Sequence, residues 1–330
     1  MKNIKRRTLL QALGSAWALS PLLSPLTAFA AYPERAIRLI VPFAPGGNAD
    51  IVARLVGAGM AEALGQPVVV ENRAGAGGSI GAGVVAHSAP DGYTLLSGSN
   101  GPLTVNPFVQ ANLGYDPLKD FAPVGLTSLV PHALIVNAAV AAKTVPELVA
   151  LSKQMQIGVG TSGIGSATHL TLERFNAQSG AKLLHVPYKG GGSLLPDLLA
   201  GTIQGAMTEF STALPHHRSG KARFIAVASA KRSALASEVP TMIEGGVKDF
   251  TAASYIGVLA PAGLPADVMA RLQSALVAAL KAPKTLERFR ELGAETATPE
   301  QMTAAGFGSF IRQDFERSRE AAQLAGLKKE

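Results

Sequence analysis

The chain meets a forced turn early. "IRLIV", a run of β-forming residues from Ile37, breaks at Pro45-Gly46-Gly47, and apolar residues then return at helical spacing. Ile51, Val52, Leu55, Val56, Met60, Ala63 and Leu64 share one helix face, and Gly65 stands where a helix ends. A strand that turns through glycines into a helix belongs to a parallel α/β sheet. "QPVVVEN", "GGSIGAGVVAHSA" and "PDGYTLLSG" continue it as strand, small-residue helix and strand. That order predicts ligands at the carboxyl ends of the strands.

The same pattern starts again beyond residue 144. "TVPELVALSKQ" reads as helix, "MQIGVGTSG" as strand and loop, "SATHLTLERFNAQSG" as helix and "KLLHVPYKG" as strand. "SLLPDLLAGT" (helix), "IQGAMTE" and "ARFIAVAS" (strands) follow. Two long extended stretches, "FAPVGLTSLVPHALIVN" and "FTAASYIGVLAP", flank this second unit and read as crossings into it and back. The expectation is a two-lobed α/β fold of the periplasmic-binding-protein kind (type II-like). Each lobe is a mainly parallel sheet flanked by helices. Lobe 1 takes residues 31–131 and 253–330, and lobe 2 takes 132–252. The tail is read as helical, with Pro265 in the first turn of one helix and Thr298 with Gln301 as a capping box for the last.

Residues 1–30 are expected to be a cleaved signal peptide. Lys2, Lys5, Arg6 and Arg7 precede an apolar stretch, and Ala28-Phe29-Ala30 is a small-residue cleavage site. "KRRTLLQ" also suits twin-arginine export, so the route stays open between the Sec and twin-arginine pathways. Of the formal charge of +7, four units lie in this leader, which leaves the rest near +3. No basic run with interleaved aromatics follows, which argues against nucleic acid. The absence of cysteine removes disulfides, thiolate metal sites and cysteine nucleophiles.

Enzyme readings find little. Gly158-Val159-Gly160-Thr161-Ser162-Gly163 fits a dinucleotide fingerprint, but the next strand, "KLLHVPYKG", lacks the acid that would hold a ribose. No G-x-S-x-G nucleophile elbow and no phosphate loop with Gly-Lys-Ser/Thr is present. His216 and His217 are adjacent, so their side chains diverge. His169 with Glu173 is one i,i+4 pair without further ligands, read as a surface or capping pair. No catalytic residue, metal or cofactor is expected.

What remains is the pair of glycine loops. Pro45, Gly46 and Gly47 let the backbone approach a ligand, with Asn48 or Asp50 to cap the helix. Gly163, Gly165 and Ser166 repeat the arrangement before the helix of His169. A dicarboxylate between two helix N-termini gains about 0.3–2 kcal/mol per end from the dipoles, without Arg or Lys.

At these residues the chain resembles a known family. "VPFAPGGNADIVAR", "GQPVVVENRAGAGGSIGAGVVAHSAPDGYTLL", "YDPLKDFAPVG", "SGIGSATHL", "HVPYKGG", "DLLAG", "ALPH" and "VPTMIEGG" resemble, in order, motifs of the Bug (TctC-like) extracytoplasmic solute receptors. The resemblance implies a periplasmic receptor that closes on a small carboxylate and delivers it to the permease subunits of a tripartite tricarboxylate transporter. It implies ligand contacts at Ala44, Pro45, Gly46 and Gly47, with Asp50 at the helix start, and at Ser162, Gly163, Gly165, Ser166 and His169. Ser97, Ser99, Asn100, Tyr188 and Lys189 follow as outer contacts. The chain departs from the family where Met207-Thr208 replaces Phe-Asp, Leu172 a glycine, and Tyr255 a tryptophan. If Thr208 faces the pocket, a negative charge is lost and ligands needing an ammonium partner bind poorly; Glu209 compensates only if the strand register differs by one. A monomer is expected. The alternatives are an accessory sensor for a histidine kinase ectodomain, or an exported α/β hydrolase or oxidoreductase.

Overall fold

The computed structural model describes residues 32–329, so the expected leader lies outside the described residues. The first unit is β1 (Ile37–Val41), α1 (Asn48–Leu64), β2 (Val68–Asn72), α2 (Ser79–Ala86) and β3 (Thr94–Gly98). A π-helical turn over Gly101–Val105 runs into the short α3 (Asn106–Val109). β4 (Phe121–Asn137) is the first expected crossing, unbroken through Pro131. The second unit holds α4 (Val145–Ser152), β5 (Ile157–Thr161), α5 (Ala167–Ser179), β6 (Leu183–Pro187), α6 (Gly191–Ala200), β7 (Gly205–Glu209), α7 (Phe210–Arg218) and β8 (Ala222–Val227). β9 (Ala253–Pro261) returns, followed by α8 (Ala266–Lys281), α9 (Pro283–Leu292), the two-residue β10 (Glu295–Thr296) and α10 (Ala304–Leu324).

The strands form one sheet in the order β2-β1-β3-β9-β4-β7-β5-β6, with β8 and β10 also paired to β4. The fold is two parallel blocks, β2-β1-β3 and β7-β5-β6, bridged by β4 and β9 running antiparallel to their neighbours. β4 pairs with β9 from Phe121 to Pro131, then with β7 from His132 to Val136. A 17-residue strand can serve two blocks because most of its positions on both faces are apolar and buried, Val124, Leu126, Val130, Leu134 and Val136 among them. The second block is packed on both faces: Leu134, Phe175 and Phe250 belong to one cluster, Ile135, Leu198 and Phe210 to the other.

Gly65 ends α1 in the left-handed region, as read from the sequence. Two details differ from expectation. Pro265 is the N-cap of α8 rather than its first residue. Thr298 and Gln301 do exchange capping-box hydrogen bonds, but around the turn before α10, whose own N-cap is Thr303.

Candidate ligand-binding site

The carboxyl ends of β1, β5 and β7 face one another across a small cavity. It is lined by Phe43, Gly47, Asn48 and Ala49 on the first block and Ser99 after β3. Ser162, Ser166, Ala167, Thr168, Gly191 and Glu209 line it on the second, and Ser254 and Ile256 on β9. Four helices start at this cavity: α1 at Gly47, α5 at Ser166, α6 at Gly190 and α7 at Glu209. Ser99, Ser162, Ser166, Thr168 and Ser254 line the space beside these helix starts, and among the described residues no Lys or Arg does.

Asn48 is the most telling residue. It is 2% exposed, its Oδ1 accepts a hydrogen bond from Ser211 Oγ at 3.0 Å, and its Nδ2 has no partner among the described residues. A buried donor left unmatched costs about 1–3 kcal/mol, so this amide calls for an acceptor brought from outside the chain.

The Pro-Gly-Gly loop is held from behind. Gly46, at φ +82°, donates its N–H to Asp50 Oδ2 at 3.1 Å, and Asp50 also accepts from Arg54 and Asn72. Burial pulls the Asp50 carboxyl upward, but these hydrogen bonds outweigh it and hold it below the usual carboxylate range. Asp50 therefore braces the loop and faces away from the cavity lining.

Backbone meets backbone across the cavity. Ala44 N–H donates to Lys189 O at 2.9 Å. A Cβ on Gly47 would lie 3.1 Å from Gly192 N, and one on Gly192 would collide with Pro45 O. A second contact strip joins Gly163–Gly165 to Gly77 and Asn106, where a Cβ on Gly165 would collide with Asn106 Oδ1. These contacts leave a cavity of about 20 Å³, room for about one water.

Of the residues expected at the site, Gly47, Asn48, Ser99, Ser162 and Ser166 line the cavity. Ala44, Pro45, Gly46, Gly163 and Gly165 form the loops around it. Asn100 turns elsewhere: its amide donates to Asp314 and Ala253 O, and its Oδ1 accepts from Tyr255 N–H. Ser97 is buried on β3, and Tyr188 donates its hydroxyl to Asp197. Thr208 is fully buried, 3.3 Å from Glu209 Oε2, and it is Glu209 that reaches the cavity. Sequence reading missed Glu209 and Ser254 as lining residues; register alone decides which of two neighbouring strand residues faces in.

His169, Glu173 and His185 come together with ligand-type atoms within 4.8 Å of one another. His185 is the third member that the sequence did not supply. The cluster is not arranged for a metal. Gly165 N–H donates to His169 Nδ1 at 3.2 Å, so the neutral ring carries its proton on Nε2, which lies 3.9 Å from Glu173. Burial, and then His185, push His169 down to about 3, and burial takes His185 to about 4. The stacked neutral rings brace the second glycine loop.

A profile described as "Tripartite tricarboxylate transporter family receptor" matches residues 52–327. Protein BugT of Bordetella pertussis (strain Tohama I) is 36% identical over 325 residues, covering 97% of this chain and 98% of the relative. The structure of periplasmic binding protein BugD matches with TM-score 0.87 and 36% identity, covering 91% of this chain and 100% of that one. MatC from Rhodopseudomonas palustris with bound malate matches with TM-score 0.85 and 32% identity, covering 88% and 99%.

Proposed function

Since the chain belongs to the receptor family of the tripartite tricarboxylate transporters, a family of solute-binding receptors, we propose that its cavity captures a small carboxylate in the periplasm. The ligand is held by the N-termini of α1 and α5 and by the Asn48 amide. The orphaned Asn48 Nδ2 is the observation that carries this reading, because it asks for an acceptor at the point where the helix dipoles favour an anion. The malate bound to MatC is a ligand of that chemistry. Two lobes, 31–131 with 253–330 and 132–252, move apart to admit it, since about 20 Å³ is too small for a diacid. The change of partner along β4 at Pro131–His132 suits a hinge there. Ligand binds both lobes and favours the closed form by its differential affinity for it. The closed rim is then what the membrane permease subunits recognise, and the receptor acts by binding alone.

The test is thermal. Protein lacking residues 1–30 is unfolded, freed of ligand and refolded, then melted against malate, adipate, citrate, aromatic acids, amino acids, simple amines and sugars. A ligand at a hundred times its Kd adds about 2.7 kcal/mol. At about 2–4 °C per kcal/mol for a chain of this size, the melting temperature rises by roughly 5–11 °C. A shift with a narrow set of carboxylates is the expected result. Shifts with amines or sugars instead overturn the carboxylate reading.

A further inference from the structure

A second cavity, of about 460 Å³, lies behind one wall of the ligand space. Ser254 lines the small cavity, whereas His132 and Thr171 line the large one. Contacts of 2.8 Å join Ser254 to His132 and His132 to Thr171, and Ala167 borders both spaces. The larger volume falls within the range of about 300–1,000 Å³ that small-molecule sites occupy.

Two helices face each other across this space, and each contributes one side. α5 presents Ala167, Leu170, Thr171 and Arg174, and α10 presents Asp314, Arg317, Ser318 and Ala321. Both sets follow the i, i+3, i+4, i+7 spacing of a single helix face. β4 adds Leu129 and Pro131, β9 adds Tyr255, and Phe310 supplies an aromatic wall. Leu170 and Val105, which line the space, belong to one apolar cluster with Val109 of α3 and Ala322 of α10.

The unpaired polar groups of the lining include two cations. Arg174 donates one N–H to Thr251 O at 3.2 Å and lies over the Phe250 ring, 4.9 Å from its centroid. A guanidinium carries five N–H groups, and among the described residues no carboxylate takes the others of Arg174. Arg317, exposed at the rim, has no hydrogen bond or ion pair among the described residues. Two acids line the space as well, and neither pairs with an arginine. Asp314 accepts from Thr104 at 2.6 Å and from Asn100 at 3.2 Å, and Glu295 is exposed. Tyr255 is 1% exposed, and its hydroxyl has no hydrogen-bond partner among the described residues.

We propose that this cavity is a second binding site, for a carboxylate with an apolar body. Arg174 and Arg317 take the carboxylate, which a guanidinium fork matches with paired hydrogen bonds. Leu129, Leu170 and Phe310 take the body. In the division into lobes proposed above, α10 belongs to lobe 1 and α5 to lobe 2. An occupant that touches both helices as they stand here stabilises this arrangement, in which the glycine loops around the ligand cavity also meet. The second acid is therefore a positive effector: it tightens binding in the ligand cavity, and the ligand tightens the effector's binding by the same factor. The coupling rests on the carboxylate-receptor reading, whereas the second site does not.

Calorimetric titration of ligand-free protein with naphthoate and octanoate tests the site. The expected result is saturable binding that Arg317→Met and Arg174→Met each weaken about tenfold or more, and that octanol does not reproduce. Arg317 is exposed and unbonded, so its variant is expected to fold even should Arg174→Met fail to. Unchanged affinity in a folded arginine variant, equal binding of octanol, or no binding of either acid at millimolar concentration overturns the proposal. A second arm titrates malate with and without saturating naphthoate. Malate affinity is expected to rise about fivefold or more in the wild type and to stay level in Arg317→Met. Simple competition between the two acids places both in one cavity and overturns the second site, and an unchanged malate affinity overturns the effector role. Failure of malate to bind at all bears on the receptor reading and leaves the first arm to decide the site.

Discussion

Asp50 and Asn48 sit two residues apart at the start of α1 and serve opposite ends of the same problem. Asn48 offers its amide to the cavity, whereas Asp50 holds the loop that puts it there. The Asp50–Arg54 pair has a half-exposed arginine, so its Coulomb part is screened; the hydrogen bond from Arg54 lowers the carboxyl most, followed by those from Gly46 and Asn72. Asp50→Asn is expected to lower stability by about 1–3 kcal/mol at neutral pH. The folded carboxyl lies below its unfolded value of about 3.9. Its contribution is therefore present above that value and is lost as the pH falls through the folded pKa. Urea unfolding at pH 7 and pH 3 checks this: the gap between wild type and variant must shrink at the lower pH, and a constant gap contradicts the assignment. Asp50 was visible in the sequence as a first-turn acid, with Arg54 at i+4 on the same helix, but its partner Asn72 was not, because Asn72 comes from the end of β2.

At the scale of elements, strands and helices with clean periodicity were legible, and both crossings fall where extended, apolar stretches are longest. α7 was not. "FSTALPHHR" carries Pro215 and two adjacent histidines, which break the helical signal, yet the helix forms and buries Phe210, Ala213 and Leu214. The facing of β7 was equally hidden: pairing of Ala133 with Thr208 and His132 with Glu209 is set by β4, a partner some 75 residues away. The glycine loops were legible as turns but not as mutual contacts. Gly192 gives the sharpest test of the latter. It lies within α6, where Ala is favoured over Gly by about 1 kcal/mol, and a Cβ there would meet Pro45 O and lie 2.9 Å from Gly47 N. If the ligand-free form has its lobes apart as proposed, Gly192→Ala is expected to keep its melting temperature, while carboxylate binding, which brings that Cβ onto Pro45 O, weakens at least about tenfold, some 1.4 kcal/mol. Retained affinity in a folded variant removes the contact between these loops from the mechanism.

For the whole molecule, the sheet order explains why one site suffices. Two parallel blocks point the carboxyl ends of their strands at each other, and β4 with β9 ties them together without covering the space between. Four helix N-termini then border the cavity, and among the described residues no basic side chain lines it. His132, at the point where β4 changes partners, also borders a separate cavity of about 460 Å³ that reaches Arg174 and Asp314. The central claim is that a carboxylate oxygen meets the Asn48 amide. Calorimetric titration of ligand-free wild type and of Asn48→Asp with the best carboxylate of the melting panel tests it most directly. Aspartate keeps the size of the side chain and the oxygen that Ser211 uses, but turns the donor into a like charge. Saturable one-to-one binding by the wild type, weakened by more than about a hundredfold (~2.7 kcal/mol) in Asn48→Asp, is the predicted result. Equal affinity in the two proteins contradicts it.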